Sequence, residues 1–179
     1  MRPTAPVVRS LAALVLAAAV LACDALPTQT SGVSPRPRLS TNRSEVRLLA
    51  CPTADERRAQ AVIGPEGGTL GAGRSSITIP AGAVAAPTTF EVVVPASPYM
   101  EVQIHAVGHA SYVFATPAAI TIGYGRCPDG AVPADAALEG VHVESGTRSV
   151  LERMGGNADK ANKKVTFATP HLSGYIVAY

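Results

Sequence analysis

Residues 62–84 read VIGPEGGTLGAGRSSITIPAGAV, and this stretch decides the fold. Gly64, Pro65, Gly67 and Gly68 punctuate two apolar pieces. Glycine tolerates positive φ and proline presets φ for the first corner of a turn, so the pieces read as strand, tight turn, strand, the first hairpin of a sheet. Ser76-Ile77-Thr78-Ile79 then alternates polar with β-branched apolar residues, the period of a half-buried strand. Pro80 removes a ladder donor and Gly82 allows the chain to turn, so this strand stops there.

The same signals recur downstream. Strands are expected at 61–63, 76–79, 89–94, 100–107, 112–114, 119–124, 140–144, 148–151, 163–168 and 174–178, with turns at Ala96-Ser97-Pro98, Asp129-Gly130 and Gly155-Gly156-Asn157. The polar run Thr53 to Gln60 is read as a possible single helical turn, and Val46 to Cys51 as a first strand or strand-like arm. No segment has the character of a crossover helix. The expected fold is therefore all-β, a two-layer, mainly antiparallel β-sandwich. The chain has 179 residues with Gly 16 and Pro 15, which suits one such domain plus appendages. Aromatic content is 4% with no Trp, so stacking platforms for bases are scarce and nucleic acid is not an expected partner.

The N-terminus reads as an export signal. Arg2 and Arg9 flank the start of Leu11 to Ala22, LAALVLAAAVLA, an apolar run shorter than the roughly 20 residues that a bilayer span needs. Val20-Leu21-Ala22-Cys23 resembles the bacterial lipobox, in which the cysteine is lipidated and becomes the new N-terminus. Residues 1–22 are thus expected to be a lipoprotein signal peptide and Cys23 the lipid anchor, the alternatives being an ordinary secretory signal followed by a chance cysteine and an uncleaved anchor. Asp24 to Asn42, rich in Ser, Thr and Pro, has no hydrophobic periodicity, and residues 23–45 read as a flexible tether ahead of a domain at 46–179. Loss of Arg2 and Arg9 lowers Lys+Arg from 15 to 13 against Asp+Glu 13, so the formal +2 belongs to the removed segment. The expected location is the exported side of a bacterial cell envelope, with inner and outer membrane both open.

With Cys23 used for lipid, Cys51 and Cys127 form an even pair in an exported chain, and a disulfide between them is expected. Two free thiols or an intermolecular bridge are the alternatives.

Gly67-Gly68-Thr69-Leu70, the run Ile77 to Val84 and the strand Thr89 to Val94 together resemble the start of a ZU-five domain. This β-sandwich module is named from zonula occludens and the Unc-five netrin receptors. Thr169 to Val177, TPHLSGYIV, resembles the His-Phe-Ser-x-Tyr ending of the same module, so the likeness spans roughly residues 61 to 179. The resemblance implies an interaction module with no cofactor.

His171-Leu172-Ser173 also resembles the self-cleavage tripeptide of some ZU-five proteins and of adhesion-receptor cleavage domains, with Leu172 replacing the usual Phe of the former. In that chemistry the His171 imidazole takes the hydroxyl proton and Ser173 Oγ attacks the Leu172 carbonyl; the resulting ester is hydrolysed. The plainer alternative has His171 and Ser173 hydrogen-bonded at the start of the last strand, holding its register.

Other features yield to geometry. His105 and His109 on one strand face stand about 13 Å apart, too far for one metal ion, and His142 between two valines reads as an outward polar position, so no metal ligand is expected. The glycine run 64–73 lacks the Gly-Lys-Ser/Thr ending and following helix of a phosphate loop. Asp159 to Lys164 reads as a hairpin tip. The functional expectation is a lipid-anchored binding or scaffolding module without catalytic turnover. Its partners would be the membrane, through Cys23, and another envelope protein or a surface polymer. Self-cleavage between Leu172 and Ser173 is the first alternative and glycan binding, tested at Tyr99 or Tyr112, the second.

Overall fold

The computed structural model describes residues 45–179. The expected signal peptide, the Cys23 anchor and the tether up to residue 44 lie outside the described residues. Within them the chain forms eleven strands and no helix, arranged as two antiparallel sheets packed face to face, a β-sandwich as the period-two segments imply. One sheet has six strands in the order β1 (Arg57–Ile63), β4 (Thr88–Val94), β5 (Glu101–Ala106), β11 (Gly174–Ala178), β7 (Glu139–Val143), β8 (Val150–Gly155). The other has five: β2 (Gly68–Ala72), β3 (Ser75–Ile79), β6 (Val113–Gly123), β10 (Lys164–His171), β9 (Asn157–Asp159).

The core between the layers is filled by alternate residues of both sheets. Ile77, Ile79, Ile120, Ile122, Val165 and Phe167 meet Phe90, Val92, Val102, Ile104, Tyr175 and Val177, all essentially inaccessible to water. Fully burying a side chain of this size contributes about 1.5–3 kcal/mol, so strand alternation and core formation are the same fact seen at two scales.

The opening stretch differs from expectation in one respect. Its glycine turn does not close a hairpin: β1 pairs with β4 in the six-stranded sheet, whereas β2 pairs with β3 in the five-stranded one. The turn Gly64 to Gly67, closed by Gly67 N–H to the Gly64 carbonyl at 3.0 Å, is a corner between layers. Gly67 has φ +76°, and a Cβ there would lie 2.5 Å from the Ile79 carbonyl oxygen, so the close approach of this corner to the end of β3 demands glycine. The hairpin lies one step on, where Ala72 pairs with Ser75 across the two-residue loop Gly73-Arg74.

Three smaller differences have local causes. Thr53 to Gln60 is not helical; its second half is β1, whose Arg58 and Gln60 side chains both bind Glu91 of β4, at 2.9 and 2.8 Å. The expected strands 112–114 and 119–124 are parts of one strand, β6, interrupted in its pairing with β10 by a register shift between Thr169 and His171. The strand expected from Arg148 begins at Val150, because Arg148 holds φ +58° in the preceding turn.

The segment Arg47 to Cys51 is a strand-like arm that enters the six-stranded sheet where β5 and β11 part. Leu49 donates to the Val177 carbonyl at 2.8 Å and accepts from Met100 N–H at 3.0 Å. Val46 and Leu48 cover Val141, Val143, Ile176 and Ala178 on the outer face of that sheet, forming a second, smaller apolar cluster. At the end of the arm Cys51 is bonded to Cys127, with Cα atoms 5.0 Å apart, which ties the arm to the loop after β6 in the other layer. The expected disulfide is present.

Candidate functional site

Cross-strand register collects the chemistry-bearing side chains at one margin of the sandwich. In the six-stranded sheet Tyr175 pairs with His142, and His142 with Glu152, so the three form a row across β11, β7 and β8. Tyr175 belongs to the main core, so the row faces the opposing sheet. From that sheet comes His171, last residue of β10, on the face that carries Val165, Phe167 and Thr169 inward. His142 therefore points between the layers; the outward position expected for it is corrected. The reason lies in its neighbours. Val141 and Val143 occupy the outer face, and the N-terminal arm buries them there.

The link Leu172-Ser173 carries the chain from β10 in one layer to β11 in the other. It is held at both residues: Leu172 N–H donates to the Tyr112 carbonyl at 3.2 Å, and the Ser173 carbonyl accepts from Ile104 N–H at 3.0 Å. Ser173 Oγ lies 2.7 Å from His142 Nε2. His171 makes other contacts, with Nδ1 3.2 Å from the Tyr175 hydroxyl and Nε2 3.4 Å from Glu152 Oε2. Both side chains are hydrogen-bonded at the entry to the last strand, each to partners of its own. The His142 and His171 rings lie 4.9 Å apart between centroids.

Beneath them Tyr175 organises the site. Its hydroxyl donates to the His171 carbonyl at 2.6 Å and lies 2.9 Å from Thr169 Oγ1, itself fully buried. Burial pushes the Tyr175 phenol up to about 12, with the Glu152 charge adding to the effect and the Thr169 hydrogen bond opposing it. Tyr175 is thus a neutral donor at any physiological pH. His142 is held below its ordinary value by burial first and then by repulsion from His171, against a smaller attraction to Glu152. A neutral imidazole within hydrogen-bond reach of a hydroxyl is equipped to accept its proton.

The remaining sequence candidates stay apart from this site. His105 stands exposed on β5 opposite Glu91, and His109 lies in the following turn, edge-on to Tyr112 at 5.6 Å between ring centroids. Asp159 to Lys164 is the tip of the β9–β10 hairpin, fastened by the Asp159 carboxylate to the Asn162 backbone and side-chain amides. Lys163 reaches back to the Cys127 carbonyl at 3.0 Å and to Asp129 at 2.8 Å, so the tip is braced on the disulfide loop. Glu152 and His142 are the members of the site that sequence reasoning missed. No protein-family model matches the chain, and no curated protein matches it.

Proposed function

We propose that the chain is a lipid-anchored envelope protein whose ZU-five-like sandwich binds or scaffolds another envelope component, without catalytic turnover. The observation that carries this reading is the Cys51–Cys127 disulfide. It suits an oxidising compartment and leaves Cys23, next to the apolar N-terminal run, as the third cysteine of the chain. Lipidation there would attach the domain through acyl chains at about 0.8 kcal/mol per buried methylene, and the Ser/Thr/Pro-rich segment would set it off the bilayer. At one end of the six-stranded sheet, exposed Val62 on β1 and Val107 in the turn after β5 flank Thr89 of β4. This is a modest apolar surface for contact with an envelope protein or polymer.

The test is chemical crosslinking in intact cells expressing the full chain, followed by membrane fractionation. Membrane association that Cys23→Ser abolishes, together with one reproducible crosslinked partner that Val62→Lys removes, supports the reading. A Cys23→Ser protein that still sediments with membranes would overturn the anchor.

Self-cleavage is favoured as a second reading by the 2.7 Å contact between Ser173 Oγ and His142 Nε2. Here His142, in place of His171, would take the hydroxyl proton as Ser173 Oγ attacks the Leu172 carbonyl. The peptide nitrogen leaves as the Ser173 amine, and water hydrolyses the ester to a Leu172 carboxylate. Intact mass separates the readings. Loss of Ser173–Tyr179 in wild type but not in Ser173→Ala supports cleavage, and an undiminished mass after prolonged incubation sinks it.

A further inference from the structure

We propose that His142, Glu152 and His171 form a binding site for one divalent transition-metal ion of the zinc class, held between the two sheets at the β8 margin. Each of the three offers a ligand atom, and these atoms all lie within 4.8 Å of one another. Zinc bonds of about 2.0–2.2 Å in tetrahedral geometry place ligand atoms roughly 3.3–3.5 Å apart. His171 Nε2 and Glu152 Oε2 already stand at 3.4 Å, so closure of the triangle asks the remaining separations to shorten by no more than about 1.4 Å. Glu152 is on the outermost strand of its sheet with its side chain half exposed, so an ion can arrive from solvent.

The surroundings are those of a ligand set. The Tyr175 hydroxyl donates to the His171 carbonyl at 2.6 Å and lies 2.9 Å from Thr169 Oγ1 and 3.2 Å from His171 Nδ1, which donates to it in one of the two ring tautomers. In the tautomer that carries the hydrogen on Nδ1, the Nε2 lone pair faces the Glu152 carboxylate. In that tautomer the two electron-rich atoms can share a metal cation, whereas in the other a hydrogen on Nε2 bridges them without one. The Tyr175 contact is of the kind that orients metal-bound histidines from the outer shell. Two imidazoles and one carboxylate select zinc and its neighbours over calcium and magnesium, which prefer all-oxygen sets. Three protein ligands leave a fourth position for water or a small ligand. Because the donors come from both layers, the ion would clip the edge strand β8 to β10.

The inference does not depend on the partner proposed above. Purified full-length chain with its disulfide intact is stripped with chelator and titrated with Zn2+ by calorimetry and with Co2+ by visible spectroscopy. The expected result is one ion per chain, a Co2+ spectrum of four- or five-coordinate character, and a Zn2+-dependent rise in thermal midpoint. Glu152→Gln, on the exposed margin where folding is least at risk, and His171→Gln weaken binding by at least about tenfold. His105→Gln and His109→Gln leave it unchanged. Far-UV circular dichroism of each variant shows that the sandwich is retained. Absence of a Co2+ spectrum in the wild type, or Zn2+ binding of equal strength in Glu152→Gln, overturns the assignment.

Discussion

Ser173 Oγ and His142 Nε2 sit 2.7 Å apart although 31 positions separate them, because β11 runs antiparallel to β7 directly after the link that contains Ser173. The contact joins the chain reversal between layers to the strand that anchors the site. A net contribution of about 1 kcal/mol is expected for such a hydrogen bond, with the penalty falling on the ring nitrogen left unpartnered. Ser173→Ala should lower urea-unfolding stability by about that amount in the presence of chelator, whereas Ser173→Thr should stay within a few tenths. Equal losses in the two variants would mean that the hydroxyl is not what the site uses.

Acid sensitivity should show at the opposite edge of the same sheet. The Glu91 carboxyl is held below its ordinary value, chiefly by the Gln60 amide and then by Arg58. Its folded pKa is depressed, so the unfolded chain binds more protons as pH falls through the usual carboxylate range. The stability it contributes is complete above the unfolded value of 4.5 and is lost below it. Glu91→Gln should therefore flatten the fall in thermal midpoint between about pH 5 and pH 3. A fall as steep as in wild type would locate the acid-labile pairs elsewhere.

At Gly140 the two layers approach closely. The glycine is buried on β7, and a Cβ there would overlap the Phe167 ring, itself packed 5.3 Å from the Tyr175 ring between centroids. Gly140→Ala should cost about 1–3 kcal/mol through displacement of a buried aromatic that has nowhere to go. Phe167→Leu, which empties that volume, should make the same alanine substitution close to neutral. If the cost is the same in both backgrounds, the strain lies in the backbone and not in the contact between sheets.

The disulfide closes a loop of 76 residues between the arm and the loop after β6. In the chain-entropy account this contributes about 4 kcal/mol, by limiting the unfolded ensemble. The double variant Cys51→Ser/Cys127→Ser should lose roughly 10–15 °C in thermal midpoint. A loss of only a degree or two would show that the arm is held by its backbone bonds to Val177 and Met100.

How much of this was legible in the sequence follows the range of each interaction. β3 announces itself because period-two alternation is local, β4 and β11 because a short apolar, β-branched run bounded by Pro or Gly is local too, and Cys51 with Cys127 because two cysteines have one intramolecular pairing. β2 is legible only as the piece that follows the glycine turn, because Gly68 and Gly71 dilute its pattern although Leu70 and Ala72 are buried. That the glycine turn is a corner between layers depends on β1 finding β4, which no local signal reports. The inward direction of His142 depends on a segment almost a hundred residues earlier, since Val46 and Leu48 are what make Val141 and Val143 an outer-face pair. A histidine between two strongly apolar β-branched residues was the available clue: if both valines are buried, the polar residue must face the other layer. Glu152 carried no signal of its own, because only the register of β7 with β8 brings it opposite His142.

Glu101 and Arg148 supply the last test. Glu101 lies on the outer face of the six-stranded sheet with its side chain 7% exposed, a carboxylate almost withdrawn from water. Arg148 reaches it from the β7–β8 turn with two parallel bonds of 3.1 Å, and its guanidinium lies 5.0 Å from the centre of the Tyr99 ring. The forked, planar geometry is one that lysine cannot reproduce. Removing one partner of such a pair leaves a buried charge uncompensated, which costs more than the pair itself contributes. Arg148→Ala should therefore lose about 2–4 kcal/mol and Arg148→Lys an intermediate amount. In a Glu101→Gln background, where no charge is stranded, Arg148→Ala should cost about half as much or less. The backbone at Arg148, with φ +58°, adds a strain common to both backgrounds, so it cancels in the comparison. If the loss is undiminished in the glutamine background, the arginine acts through Tyr99 and the turn, and the carboxylate is a bystander.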